Sequence, residues 1–192
     1  MGEGCTAQGH QQRVRRCGAA LRAYARRRPA DGATVARMQV LLGSGVQAFS
    51  RDHFLPGHFT ASAFVLSPDG GRLLLILHAK LGLWLQPGGH VEVGDSDLLA
   101  AARRELREEA NVVDARLEGE GIFDVDIHTI PAGRSPRHLH FDVRFLFRAR
   151  DERVVAASDA LAVRWVALAE VAAQNSDASV MRAVRRLLPR PR

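Results

Sequence analysis

The stretch Gly88–Val112, GGHVEVGDSDLLAAARRELREEANV, determines how the rest of the chain is interpreted. A glycine pair opens a turn, the acidic run at 95–97 provides a helix start, and an apolar segment leads into a charged run. At 3.6 residues per turn, the carboxylates of Glu105, Glu108 and Glu109 lie on one face of that helix. Like charges at this spacing destabilise a bare helix, so we expect a positive group among them, and a divalent cation is the natural candidate.

The chemistry of this run favours a hard metal ion. Carboxylates suit Mg²⁺ or Mn²⁺ better than zinc, and such an ion neutralises a pyrophosphate and acidifies a bound water. Arg104 precedes Glu108 by one helical turn and can hold that carboxylate in place. The glycines Gly88 and Gly89 allow backbone groups to approach metal and phosphate without a Cβ in the way. The charged run taken alone is also compatible with a solvated helix surface that carries ion pairs.

The segment resembles the Nudix box, the signature of the Nudix hydrolase superfamily. Its opening glycine is matched by Gly89, and its second half is matched by Arg104, Glu105, Leu106, Glu108, Glu109 and Val112. There are three departures: one extra residue between Gly89 and Arg104, Ser96 or Asp95 in place of the first Glu, and Asn111 in place of the late glycine. Asn tolerates a left-handed helix end, so we predict that Asn111 adopts this conformation.

The resemblance implies an α/β (α+β) fold in which a mixed β-sheet is sandwiched between helices. It implies Mg²⁺- or Mn²⁺-dependent hydrolysis of a pyrophosphate linkage in a nucleoside diphosphate derivative or related phosphoanhydride, by water attack on phosphorus. The implied catalytic residues are Arg104, Glu105, Glu108 and Glu109, with the three glutamates as metal ligands. The first Glu, which mainly braces the box in the family, is replaced here. This leaves open a non-catalytic Nudix-fold protein that senses a nucleotide-like ligand.

Hydrophobic periodicity predicts the organisation of the chain. Residues 1–16 are polar and basic, and we expect a disordered tail. Residues 17–58 carry two helical patterns and predict an N-terminal helical extension. Residues 59–188 predict a Nudix-like hydrolase domain, and residues 189–192 a second tail. Strand-like runs cover residues 60–66, 72–77, 123–130, 138–148 and 161–166.

A second polar cluster is predicted on two of these strands, which alternate apolar and polar side chains. Its members are Asp124, Asp126, His128, His138, His140, Asp142 and Arg144. If the strands pair through the loop at 131–136, these side chains converge on one face. Asp is uncommon in strands, so we expect a role in metal binding, base catalysis or phosphate contact rather than a solvated hairpin. His140 and Asp142 are the candidates for further metal ligands.

The loop before the box supplies candidate contacts to substrate or phosphate. These are Lys80, Trp84, Gln86, Gly88, Gly89 and His90. Trp84 is able to stack on a base or sugar, although a core or lid position is an equally good interpretation.

Composition limits the class of protein. The chain is 46% hydrophobic and 25% charged, with no apolar window long enough for a membrane span and no signal-peptide core. Cys5 and Cys17 form no disulfide framework or zinc spacing, which fits the cytoplasm. The net charge of +6 rests on arginine, with Lys80 the only lysine, a bias typical of GC-rich coding sequence. We therefore expect a small-molecule phosphoanhydride substrate rather than nucleic acid, and family analogy leaves a homodimer open.

Overall fold

Four α-helices and seven strands organise the residues that the computed structural model describes, which are 7–158 and 160–188. The helices are α1 (Ala7–Arg27), α2 (Gly32–Leu42), α3 (Leu98–Ala110) and α4 (Ala178–Val184). The strands are β1 (Gly57–Leu66), β2 (Arg72–His78), β3 (Trp84–Leu85), β4 (Gly88–His90), β5 (Ala115–Ile130), β6 (His138–Ala149) and β7 (Ala160–Ala167). Short 3₁₀ helices lie at Pro29–Asp31, Gly45–Phe49 and Leu168–Ala173.

The strands form one sheet in the order β3-β2-β1-β6-β5, with β4 paired to β1 and β7 paired to β2. Strand β2 runs antiparallel to β1, β3 and β7, and its centre, Leu73–Ile76, is buried as its continuous apolar run predicts. The register Leu66↔Leu73 closes the predicted hairpin. The predicted α/β (α+β) class, with helices before, between and after the strands, is therefore confirmed.

The described residues divide into two compact units. We call the first unit residues 7–61, 89–102 and 120–145, and the second unit residues 62–88, 103–119, 146–158 and 160–188. None of the described helices combines the length and the apolar character that a membrane span requires.

The N-terminal helices belong to the first unit and are amphipathic. Buried apolar side chains recur at three- and four-residue steps, at Cys17, Leu21 and Tyr24 on α1 and at Val35, Met38 and Leu41 on α2. Helix α1 begins at Ala7, so residues 7–16, expected to be a disordered tail, are helical. Arg13 anchors this segment, because it is buried and donates from Nη2 to the carbonyl oxygens of Glu92 at 3.1 Å and Val93 at 3.0 Å. Residues 1–6 and 189–192, the rest of the two expected tails, lie outside the described residues.

Helix α3 ends in the second unit as the sequence predicts. Asn111 follows the last helical residue with φ 53°, which confirms the predicted left-handed conformation. Beyond it, β5 begins at Ala115, eight residues before Phe123, where the predicted strand begins. Gly119 and Gly121 have φ 72° and 99°. Because they interrupt the alternation of side chains, the sequence pattern did not predict the first part of this strand.

We expect Arg13→Ala to lower the free energy of unfolding by about 2–3 kcal/mol, because it removes the charge-assisted hydrogen bonds of a buried guanidinium to backbone carbonyl groups. Urea unfolding followed by circular dichroism measures this loss. Arg16→Ala is the matched control on the same helix. Its exposed ion pair with Asp97 at 3.3 Å is expected to contribute at most about 1 kcal/mol. Equal losses in the two variants would contradict the anchoring role of Arg13.

Candidate active site

The last two turns of α3 carry three carboxylates, Glu105, Glu108 and Glu109, which we call the acidic face. Arg104 Nη1 donates to Glu105 Oε1 and to Glu108 Oε2, both at 2.9 Å. The side chains of Arg104 and Glu105 are only 12% and 13% exposed, whereas that of Glu108 is 42% exposed. One guanidinium therefore compensates two of the carboxylates, and Glu108 stays open to solvent.

Glu109 is buried, and backbone groups contribute to holding it. Its Oε2 accepts a hydrogen bond from the Gly88 N–H at 2.9 Å, and its own carbonyl oxygen accepts one from the Ala157 N–H at 3.2 Å. The glycine pair predicted to shape the site is thus joined to the carboxylate run by a direct hydrogen bond. A backbone amide aimed at a carboxylate fixes its position without changing the net charge of the face.

The variant part of the box forms a braced turn in the first unit. Asp97 Oδ1 accepts from the Ala100 N–H at 3.0 Å and caps α3, as the acidic helix start predicts. Asp95 is buried, and its Oδ2 accepts from the Glu92 N–H at 2.8 Å, whereas Ser96 is exposed. Of the two residues that take the place of the first Glu, Asp95 is therefore the one whose side chain braces the loop.

The other candidate substrate contacts of the second unit have partners of their own. The Arg164 guanidinium carbon lies 3.7 Å from the centre of the Trp84 ring, so a cation covers one face of that indole. Gln86 donates from Nε2 to Ser62 Oγ at 3.4 Å, while its buried Oε1 has no hydrogen-bond partner among the described residues. Lys80 lies in an exposed turn, where its backbone N–H donates to His78 Nδ1 at 3.2 Å.

Four imidazole rings converge in the first unit, and we call His58, His90, His138 and His140 the histidine cluster. The ring centre of His58 lies 4.9 Å from that of His140, 5.0 Å from that of His138 and 5.1 Å from that of His90. The strand pattern predicted that His138 and His140 lie together, and His90 was assigned to phosphate contacts, but His58 was not predicted. His58 is the second residue of β1, and the polar alternation of His58, Thr60 and Ser62 is the signal that identifies it.

The remaining polar side chains of β5 and β6 form a buried ion network around Arg144. Its guanidinium contacts Asp142 at 2.8 Å, Asp124 at 3.0 Å and Asp126 at 3.4 Å. Asp142 also accepts from Thr60 Oγ1 at 3.2 Å, and His128 Nδ1 donates to Asp126 Oδ2 at 3.1 Å. The predicted convergence is therefore present, but Asp142, proposed as a metal ligand beside His140, faces Arg144 and Thr60.

The histidine cluster and the ion network around Arg144 differ in the direction in which the pKa values of their side chains are shifted. Burial, reinforced by the neighbouring histidines, lowers the pKa of His140 to about 2. Burial also lowers the pKa of His58. Burial acts in the same direction on His128, but the hydrogen bond to Asp126 and the charge of Asp142 outweigh it and raise the pKa of that imidazole. The charges of the three aspartates likewise outweigh burial and raise the pKa of Arg144.

Residues 56–187 match the family model of the NUDIX domain, which is more than half of the chain. The chain therefore belongs to the NUDIX family, and it is a Nudix-type pyrophosphohydrolase. The resemblance seen in the box is confirmed by this match. No curated protein matches the chain in the sequence comparison.

Solved structures with the same fold include a NUDIX-family hydrolase from Clostridium perfringens, 26% identical with a TM-score of 0.52, over 68% of this chain and 95% of that one. An Ap4A hydrolase from C. elegans, in a binary complex, is 19% identical with a TM-score of 0.55, over 67% and 93% of the two chains. The NUDIX domain of Shewanella oneidensis NrtR, complexed with ADP ribose, is 19% identical with a TM-score of 0.54, over 67% and 84%. These likenesses support the fold.

We expect Arg144→Met to lower the free energy of unfolding by about 3–5 kcal/mol, because it leaves buried aspartates without their counter-charge. Chemical denaturation measures the difference from the wild type. Arg116→Met is the control, since the Arg116 side chain is 73% exposed and its surface pair with Glu118 is expected to matter by about 0.5 kcal/mol or less. A loss at Arg144 no larger than that at Arg116 would show that the network is not needed for folding.

Proposed function

We propose that this protein hydrolyses a pyrophosphate linkage in a nucleoside diphosphate derivative or a related phosphoanhydride, using Mg²⁺ or Mn²⁺ held at the acidic face. The observation that carries the proposal is the arrangement of Glu105, Glu108 and Glu109 on adjacent turns of α3, with Arg104 and the Gly88 N–H fixing their positions. Members of the family generally use divalent metals, and this face is the part of the box that supplies oxygen ligands.

The donor set fits a hard divalent cation. It consists of carboxylate oxygens from one helix, and the side chain of Glu108 is 42% exposed, so it is accessible to an ion that keeps several waters and binds substrate phosphate. When bound, such an ion neutralises the diphosphate and lowers the pKa of a coordinated water. The arrangement therefore has the ligand chemistry that pyrophosphate hydrolysis requires.

Each protein group then has a specific task. Arg104 holds Glu105 and Glu108 in place, and the Gly88 N–H holds Glu109, so the ligands need little reorganisation. Glu105 is the candidate base that receives a proton from the attacking water. Gly89 and His90, which follow Gly88 directly in the chain, are candidate phosphate contacts, and Lys80, Trp84 and Gln86 are candidate contacts to the rest of the substrate.

The substrate class is proposed from two similar structures. One is an Ap4A hydrolase, and the other is a NUDIX domain complexed with ADP ribose. Both compounds contain phosphoanhydride bonds next to a nucleoside, which is the linkage that a metal at the acidic face would polarise. The buried Gln86 Oε1, which has no hydrogen-bond partner in the described part of the chain, is an acceptor available to a donor group of such a ligand.

We expect wild-type protein to release product from at least one member of a panel of nucleoside diphosphate sugars, dinucleoside polyphosphates and oxidised nucleoside triphosphates, and to lose this activity in EDTA. Glu109→Gln and Glu108→Gln are each expected to lower kcat/KM by at least about 100-fold, because loss of a ligand costs more than loss of a supporting group. Liquid chromatography of the products with Mg²⁺ or Mn²⁺ measures the rates.

Glu118→Gln is the matched control, because the Glu118 carboxylate lies on β5 in the same unit and pairs with Arg148 at 2.6 Å. It is expected to retain wild-type activity. If no substrate is turned over faster by the wild type than by Glu109→Gln, and a nucleotide binds both without metal, the protein is a ligand sensor and the hydrolase proposal is wrong.

A further inference from the structure

Three histidines of the first unit bring ring nitrogens close together. One nitrogen from each of His58, His138 and His140 lies within 4.8 Å of those of the other two. Zinc binds imidazole nitrogen at about 2.0–2.1 Å, so two nitrogens on one ion lie at most about 4.2 Å apart, and the three nitrogens need to move slightly closer together to share an ion. The rings come from the two strands β1 and β6, which supply a rigid frame for such a site.

The hydrogen bonds of two of these rings set the tautomer that a metal requires. His138 Nδ1 lies 2.7 Å from the Pro136 carbonyl oxygen, and His58 Nδ1 lies 3.2 Å from that of His53. A carbonyl oxygen only accepts, so each Nδ1 carries the proton, and in the neutral ring Nε2 offers a lone pair. Histidines that bind metals donate their second N–H to a carbonyl or carboxylate in almost every case, as both of these rings do.

His58 provides an independent observation. Its side chain is fully buried, and its Nε2 has no hydrogen-bond partner among the described residues. A buried polar atom without a partner costs free energy, and proteins rarely leave one unless a water, an ion or a ligand satisfies it. The ring cannot turn away easily, because its Nδ1 donates to the His53 carbonyl oxygen and Gly57 fixes the backbone before it. A Cβ at Gly57 would lie 1.8 Å from the Leu139 carbonyl oxygen, so the chain is tightly placed at this point.

We propose that His58, His138 and His140 form a binding site for one transition-metal ion of the Zn²⁺ class. Imidazole nitrogen suits Zn²⁺, Co²⁺, Ni²⁺ or Cu²⁺, whereas Mg²⁺ prefers oxygen ligands. His90, whose ring centre lies 5.1 Å from that of His58 and 5.3 Å from that of His140, is the candidate fourth ligand. The site goes beyond the proposed hydrolysis, whose metal ion is held by the carboxylates of α3.

The test is a titration of metal-free protein with Co²⁺ in excess Mg²⁺, which competes for the oxygen ligands of the acidic face. We expect one equivalent of Co²⁺ to bind with the visible absorption of a four- or five-coordinate nitrogen site, and Zn²⁺ to displace it and raise the melting temperature. His140→Gln and His138→Gln are expected to weaken binding at least about 100-fold. His78→Gln, on β2 in the second unit, is the matched control and keeps wild-type binding.

Two further measurements distinguish Co²⁺ bound by the three histidines from Co²⁺ bound by carboxylates. Glu109→Gln is expected to keep the full equivalent of Co²⁺, so failure of the hydrolase proposal would not affect the result. X-ray absorption spectroscopy of the Zn²⁺-loaded wild type needs no variant, and it is expected to show scattering from at least three imidazoles. A ligand shell of oxygen alone, binding of less than one equivalent by the wild type, or wild-type Co²⁺ affinity in a folded His140→Gln variant would overturn the proposal.

Discussion

The mutual repulsion of three carboxylates on one face of α3 is the constraint on which the rest of the site depends. Like charges at this spacing repel one another, and two kinds of interaction, ion pairs and a backbone hydrogen bond, hold the carboxylates in place. Arg104 bonds to Glu105 and Glu108, while the Gly88 N–H bonds to the buried Glu109 without adding charge. The face is thereby pre-organised. Carboxylates gathered at this spacing become more favourable when a cation binds, which is why we propose a metal-dependent reaction.

The first unit handles its buried charges in a different way. Arg144 draws Asp124, Asp126 and Asp142 into one network, so these carboxylates are compensated within the protein. The neighbouring histidine cluster offers nitrogen donors. Among them, His58 Nε2 is buried and has no hydrogen-bond partner in the described part of the chain. The chain thus contains two donor sets of different chemistry, one of oxygen and one of nitrogen. Each favours a different class of metal ion.

Local patterns in the sequence predicted the parts of the site that lie close together along the chain. The spacing of Glu105, Glu108 and Glu109, the helix start at Asp97 and the left-handed Asn111 all follow from helix geometry and capping. Contacts between distant segments were not predictable in this way. The bond from Gly88 to Glu109, the anchoring of Arg13 and the stacking of Arg164 on Trp84 depend on folding of the whole chain. His58 was missed because the predicted strand begins at residue 60, whereas β1 begins at Gly57.

The central claim is that the acidic face binds a divalent cation, and Mn²⁺ binding followed by electron paramagnetic resonance tests it without any assumption about substrate. The measurement is made in a His140→Gln background, so that nitrogen ligands contribute little. Our account predicts that this protein binds Mn²⁺ and that adding Glu109→Gln removes at least one equivalent, while adding Glu118→Gln removes none. Equal Mn²⁺ binding with and without Glu109→Gln, or no binding in either protein, would contradict the account.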